Sequence, residues 1–322
     1  MRVPFAAVFP GQGSQSVGMM NAWGEHQALV EATFAEASQA LGGVNLWAIA
    51  CDGPDTEINR TEITQPIMLT AGVAAWRVWL AAGGAAPLCM AGHSLGEYTA
   101  LVCAEAMDFE GAVRVVAERG RLMQQAVPMG EGAMAAVLGL EDAVVLAVCA
   151  EASQGAGAQG GEIVEAVNFN SPGQVVIAGS AAAVARAMPL LQEKGAKRVL
   201  PLPVSVPSHS SLMTDAALQM AKVLEAVEIR RPLIPVLHNV DAAEHAEPDA
   251  LRAALVSQLH RPVLWVDSVR AMQACGVSAL LEFGPGKVLA GLTKRIERDL
   301  AAYPLLDGAT LDAALNALNE EV

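Results

Sequence analysis

Pro87-Leu88-Cys89-Met90-Ala91-Gly92-His93-Ser94-Leu95-Gly96 leads from a short apolar run into a Gly-x-Ser-x-Gly turn, and Tyr98-Thr99-Ala100-Leu101-Val102-Cys103-Ala104 beyond it has helix-forming composition. Strand, tight turn and helix in that order are the local architecture of a nucleophile elbow. There a serine is held in a strained backbone conformation at the head of a helix, and small flanking residues make room for it. The stretch therefore predicts a buried strand over 87–91 and Ser94 on the turn. N–H groups at the start of the next helix are then available to stabilise an oxyanion. The bare pattern also occurs in ordinary Gly-rich turns. The strand before it and the helix after it give it chemical meaning.

Outward from the turn, apolar strand-like runs at 2–9, 234–240 and 277–283 join the one at 87–91. They alternate with helical patterns at 25–41, 65–82, 95–105, 110–126, 209–228, 248–259 and 286–298, which predicts a parallel α/β sheet. Another rhythm lies between. Strand-like 133–140, helical 141–153, strand-like 163–169 and 175–178 about the turn Asn170-Ser171-Pro172-Gly173, helical 181–194 and strand-like 198–204 give the β-α-β-β-α-β order of a ferredoxin-like unit. The simplest reading is a large domain over 1–129 and 205–322 with a subdomain inserted at 130–204. The cleft between them is then the expected site. The Gly-, Ala- and Gln-rich stretch 153–161 reads as a loop without chemistry.

The chain has 322 residues, enough for one large core and a smaller one. Apolar residues make up 53% and aromatics only 4%, so the cores must be built from Ala, Val, Leu and Met. The N-terminus reads directly as a strand, and no apolar run is long enough to span a bilayer, which predicts a soluble, cytoplasmic protein. Five cysteines without C-x-x-C spacing suit reduced, packed thiols better than bridges or a metal centre. A net charge of −14 argues against nucleic acid as a partner.

A nucleophilic serine needs a base, and six histidines are available. His26, His245 and His260 read as solvated or structural, His238 as a core residue, and His93 as a support for the elbow, since neighbours on a tight turn point apart. His209 ends a strand and opens a helix in Pro207-Ser208-His209-Ser210-Ser211, a position from which a side chain reaches a cleft. The acidic residues between Ser94 and His209 lie on predicted helices or in the insertion, so a carbonyl is the more economical orienting group for the histidine. Gly11-Gln12-Gly13 lacks the third glycine of a dinucleotide loop, because Ser16 stands there. At the carboxyl end of the first strand it brings backbone or the Gln12 amide towards the nucleophile instead. On 110–126, Arg114, Glu118, Arg121 and Gln125 form one solvated face. Arg119 shares a stripe with Ala112, Val116 and Met123. A guanidinium there is either one half of a buried ion pair or a clamp for a substrate carboxylate.

Phe9-Pro10-Gly11-Gln12-Gly13-Ser14-Gln15, Gly92-His93-Ser94-Leu95-Gly96-Glu97-Tyr98, Asn168-Phe169-Asn170-Ser171-Pro172-Gly173-Gln174, Pro207-Ser208-His209 and Gly284-Pro285-Gly286 together resemble the malonyl-CoA:acyl-carrier-protein transacylase family. The resemblance runs in order from the first strand to about Arg298. It implies a hydrolase-like large domain carrying a ferredoxin-like insertion, with Ser94 as acyl-accepting nucleophile, His209 as base and Arg119 as clamp for the malonyl carboxylate. Gln12 and the Leu95 N–H would form the oxyanion hole. Gln258 would orient the histidine through its carbonyl, and Gln65 would line the pocket. The implied substrates are malonyl-CoA and acyl carrier protein, in fatty acid synthesis, by a monomer without cofactor or metal. A trans-acting polyketide acyltransferase and a serine hydrolase or thioesterase remain as rivals. Carrier proteins of such pathways are acidic, so Lys287, Lys294, Arg295 and Arg298, spaced along one side of the predicted helix 286–298, are candidates for docking. The alternative is a solvated helix end with cations complementing its dipole.

Overall fold

The computed structural model describes residues 3–154, 162–204 and 206–319. In chain order the elements are β1 (Phe5–Phe9), α1 (Gln27–Ala40), α2 (Leu46–Asp52), α3 (Asp55–Ile58), α4 (Thr61–Ala81), β2 (Cys89–Gly92), α5 (Gly96–Cys103), α6 (Phe109–Ala126), β3 (Gly132–Leu138), α7 (Asp142–Gln154), β4 (Val164–Ser171), β5 (Gln174–Ser180), α8 (Ala181–Glu193), β6 (Arg198–Pro201), α9 (Thr214–Glu225), β7 (Val236–Leu237), α10 (Pro248–Gln258), α11 (Trp265–Ala274), β8 (Ala279–Phe283), α12 (Val288–Ile296), β9 (Ala301–Leu305) and α13 (Gly308–Asn319).

A five-stranded sheet has the order β7-β2-β1-β8-β9, with every pairing parallel. Its central strands β1, β2 and β8 are buried throughout, as continuous apolar runs covered by helices on both faces must be. On one face α4 and α5 pack over β1, where Phe9, Trp76 and Trp79 meet Phe283 at ring separations of 5.4–5.9 Å. On the other face Val263, Trp265 and Met272 close against Ala6, Ala91 and Leu280. The second sheet is antiparallel in the order β4-β5-β3-β6, with α7 and α8 packed on a core of its own. That is the ferredoxin-like order, and a tight turn at Pro172-Gly173, with Gly173 at φ +73°, joins its middle hairpin. Backbone bonds from Phe169 N to Val263 O and from Val263 N to Val167 O stitch β4 to the segment before α11.

The structure corrects several expected boundaries. The helix expected over 65–82 begins at Thr61 and carries Pro66 inside it; the Thr64 hydroxyl satisfies the carbonyls of Ile58 and Arg60 in that first turn. The strand expected over 234–240 stops at Leu237, because His238 and Asn239 turn beneath the elbow. The helix expected from 209 starts only at Thr214, since His209 has φ +64°, outside the right-handed helical region. The helix expected over 286–298 is α12: Lys287 precedes it and Arg298 follows it, so the four cations do not share one helix face. Elements α2, α3, α11, β9 and α13 were not anticipated. Of the loop expected over 153–161, residues 155–161 lie outside the described residues.

Candidate active site

The elbow forms because β2 and α5 meet too closely for any side chain at either flanking position. A Cβ on Gly92 would overlap the Gly96 carbonyl group and the Glu97 nitrogen, and one on Gly96 would overlap the Phe9 carbonyl. Between them Ser94 takes φ +52°, a strained value for a serine. The Ser94 N–H donates to Asn239 Oδ1 at 2.7 Å. The N–H groups of Gly96, Glu97 and Tyr98 are taken by the carbonyls of His93, Ser94 and Leu95, whereas that of Leu95 has no partner among the described residues. It is a free donor at the head of α5, where the helix dipole favours developing negative charge.

His209 enters from the loop before α9, and its left-handed backbone is held by its own N–H donating to Leu259 O at 3.0 Å. Its Nδ1 lies 2.7 Å from the Gln258 main-chain oxygen and its Nε2 2.8 Å from Ser94 Oγ. A carbonyl can only accept, so Nδ1 bears the proton and the Nε2 lone pair faces the serine hydroxyl. Burial, followed by the Arg119 charge, pushes the imidazole down to about 3, which keeps it neutral at physiological pH.

Arg119 is buried at 1% exposure on α6. Nη1 donates to Gln65 Oε1 at 2.9 Å, while Nη2 donates to Gln258 Oε1 at 2.8 Å and Ser94 Oγ at 3.2 Å. The Tyr98 ring lies 5.5 Å from the guanidinium carbon. Among the described residues Arg119 makes no ion pair, and its Nε is buried without a partner. A buried cation surrounded by neutral acceptors is the arrangement that an incoming carboxylate completes. Burial lowers its pKa, and nearby Glu97 is among the groups that hold it charged.

The structure thus brings Ser94, His209, Arg119, Gln65, Gln258 and Leu95 together. Gln12 lies exposed on the loop after β1, and its amide makes no hydrogen bond among the described residues. Lys287, Lys294 and Arg295 are exposed around α12 and make no hydrogen bond to this cluster among the described residues, with Arg295 Nη1 on Gln174 Oε1 at 2.7 Å. His93 turns from the serine to Asn170 Oδ1 at 2.8 Å and packs on Trp265. Sequence reasoning missed Glu97 and Asn239 and read His238 only as core. The signal was present for Glu97: it shares a helical stripe with Leu101 and Ala104, the same anomaly that singled out Arg119. No comparable signal marks Asn239. Among the described residues no cluster of three or more His, Cys, Asp or Glu side chains is placed to hold a metal ion, and no helix is long and apolar enough to cross a membrane.

The acyl transferase domain model matches residues 7–304. The chain is 54% identical over 311 residues to the malonyl CoA-acyl carrier protein transacylase of Escherichia coli K12, covering 97% of this chain and 98% of that protein. It is a member of the malonyl CoA-acyl carrier protein transacylase family. Among solved structures, the transacylase of that name from Coxiella burnetii superimposes with a TM-score of 0.96 at 45% identity, over 99% of each chain. A malonyl-transacylase in complex with a type II PKS acyl-carrier protein superimposes with a TM-score of 0.94 at 52% identity, over 98% of this chain and 99% of that one. Membership makes the protein an acyltransferase.

Proposed function

We propose that the protein transfers a malonyl group from malonyl-CoA to the phosphopantetheine thiol of an acyl carrier protein through a Ser94 acyl-enzyme. The observation that carries this reading is the approach of both His209 Nε2, at 2.8 Å, and Arg119 Nη2, at 3.2 Å, to the one oxygen Ser94 Oγ. In a malonyl ester the free carboxylate lies a single methylene beyond the acyl carbonyl, so a clamp that recognises it must stand beside the nucleophile. Arg119 does. The names borne by relatives over nearly full length support the donor and the carrier protein.

In the first half-reaction His209 takes the Ser94 hydroxyl proton as Oγ attacks the thioester carbonyl. The Leu95 N–H, with Gln12 if its amide swings in, meets the negative oxygen of the tetrahedral intermediate. The C–S bond then breaks, and the coenzyme A sulfur leaves with the proton from His209. In the second half the carrier thiol gives its proton to His209 and attacks the ester. The C–O bond breaks, and Ser94 recovers the proton. The malonyl carboxylate on Arg119 offsets the positive field that opposes imidazolium formation, so binding the correct acyl group also makes the base more effective.

Intact-mass measurement after mixing with malonyl-CoA tests the reading: one malonyl adduct is expected, absent in Ser94→Ala and discharged by holo carrier protein. Free malonate released without carrier at the rate of transfer would make the protein a thioesterase instead. We place the reaction in fatty acid synthesis in the cytoplasm. A 52% identical relative engages a polyketide carrier, so parallel assays with a fatty acid carrier and a type II polyketide carrier decide the pathway.

A further inference from the structure

Glu97 is the second residue of α5 and is completely buried. A carboxylate so placed must be surrounded by donors. Its Oε1 accepts from His238 Nδ1 at 2.7 Å, and its Oε2 accepts from Asn239 N and from Gln258 Nε2, each at 2.9 Å. Two of these donors belong to residues that touch the reacting groups directly. Asn239 spans the elbow: its Nδ2 donates to Gly92 O at 2.6 Å while its Oδ1 accepts from Ser94 N at 2.7 Å. Bonds on both sides of the turn over-determine the strained Ser94 backbone. They also occupy the Ser94 N–H and leave that of Leu95 as the donor for an oxyanion.

Gln258 carries the coupling further. Its Nε2 also donates to Ser94 O at 2.9 Å, its Oε1 accepts from Arg119 Nη2 at 2.8 Å, and its main-chain oxygen orients His209. An ionised carboxylate only accepts hydrogen bonds. Glu97 therefore decides which way round the Gln258 amide lies, and so presents the oxygen of that amide, not its NH2, to the guanidinium.

We propose that Glu97 and Asn239 are positioning residues for acyl transfer: the buried Glu97 carboxylate, acting through Asn239 and Gln258, holds the Ser94 elbow, His209 and Arg119 in mutual register. The proposal rests on the acyl-enzyme reading above. None of these groups touches substrate. Their effect is on geometry, and near reacting atoms small displacements are costly.

The test uses the full chain with the isosteric Glu97→Gln, whose NH2 must oppose one of the three donors, and with Asn239→Ala as a second variant should the first not fold. Four quantities are measured on each: the end-point titre of malonylated serine by intact mass, the single-turnover acylation rate, the KM for malonyl-CoA, and the rate of inactivation by phenylmethylsulfonyl fluoride. A positioning role predicts a full titre with acylation slowed about ten- to a hundredfold. It also predicts a KM for malonyl-CoA within about threefold of wild type, and a parallel slowing of sulfonylation. Wild-type rates in a folded variant would overturn the proposal. So would a reduced titre with an unchanged rate constant, because that is what a merely structural role produces. Should the wild-type enzyme fail to take malonyl, the functional reading falls, and sulfonylation still decides the roles of Glu97 and Asn239.

Discussion

Ser94 and His209 are both non-glycine residues in the left-handed region, at φ +52° and +64°. Each is pinned by hydrogen bonds that outweigh the local strain, so reactive geometry is maintained by residues remote in sequence. Arg119 sits at the centre of the electrostatics. A hydrogen bond to a charged group contributes roughly 1.5–3 kcal/mol, and more when a buried carboxylate would be left unpaired. Arg119→Ala should therefore slow malonyl transfer at least about tenfold while sparing acetyl transfer, measured as kcat/KM for the two CoA esters. Equal losses would make Arg119 structural. The same cation helps to hold His209 down to about 3, so the acid limb of kcat/KM for wild type should lie well below the ordinary histidine value of about 6.5. In Arg119→Ala that limb should move up, towards higher pH, because one of the two main causes of the depression is gone. Ser94 and Arg119 were legible as candidates because each breaks a local pattern. Asn239 breaks none: an asparagine after a short strand is ordinary until the fold brings it beneath the elbow.

The elbow itself is an element-level property. Gly92 and Gly96 are where β2 and α5 approach each other and β1, so Gly96→Ala should displace the Phe9 carbonyl and lower both the melting temperature and the titre of malonylated serine, read by calorimetry and intact mass. Helix α12 is the element whose charges point outward. Its start is capped from within by Glu282, whose carboxylate accepts from Leu289 N at 3.1 Å and Ala290 N at 2.8 Å. Lys294 and Arg295 lie exposed in its last turn, with Lys287 exposed just before it. If this end meets an acidic carrier, Lys294→Glu with Arg295→Glu should raise the KM for carrier protein and weaken its salt dependence, leaving acylation by malonyl-CoA largely unchanged. A parallel fall in both half-reactions would assign the pair to folding or to coenzyme A binding. The boundaries of these elements were less legible than their existence. The start at 288 is capped by Glu282 after left-handed backbone at Gly286, and the start at 214 is delayed by left-handed backbone at His209, neither of which periodicity records.

Across the whole molecule, a chain of net charge −14 keeps its few cations in distinct roles. Arg119 is buried beside Ser94, and the α12 group is exposed at the surface. Acid sensitivity follows from two histidines at the site, His209, which is buried, and His93, which is half-buried. Burial lowers His93, and burial with Arg119 brings His209 to about 3. Between that value and the unfolded value of about 6.5 the unfolded chain binds the extra proton, so the stability these groups contribute is complete above pH 6.5 and is lost as pH falls. Glu282, pushed up to about 7 by burial, acts in the opposite sense. A comparison of melting temperatures isolates the histidine contribution: His209→Gln should lose less stability than wild type between pH 7 and the acidic range. Identical pH slopes would remove His209 from that account.

Local sequence by itself determined the parallel α/β class, the β-α-β-β-α-β insertion and the elbow, because apolar period, Gly spacing and turn residues act over a few neighbouring positions. It also marked Arg119, since burial of a cation is legible wherever a helix has a clear apolar stripe. The tertiary structure alone decided that Gln258 joins serine, histidine and arginine, and that His238 and Asn239 leave a strand to reach Glu97 across more than 140 positions. Those contacts are hydrogen bonds made by side chains and main-chain groups of types common everywhere in a sequence. What makes them a site is directional geometry, which exists only after strands β1, β2 and β7 are side by side.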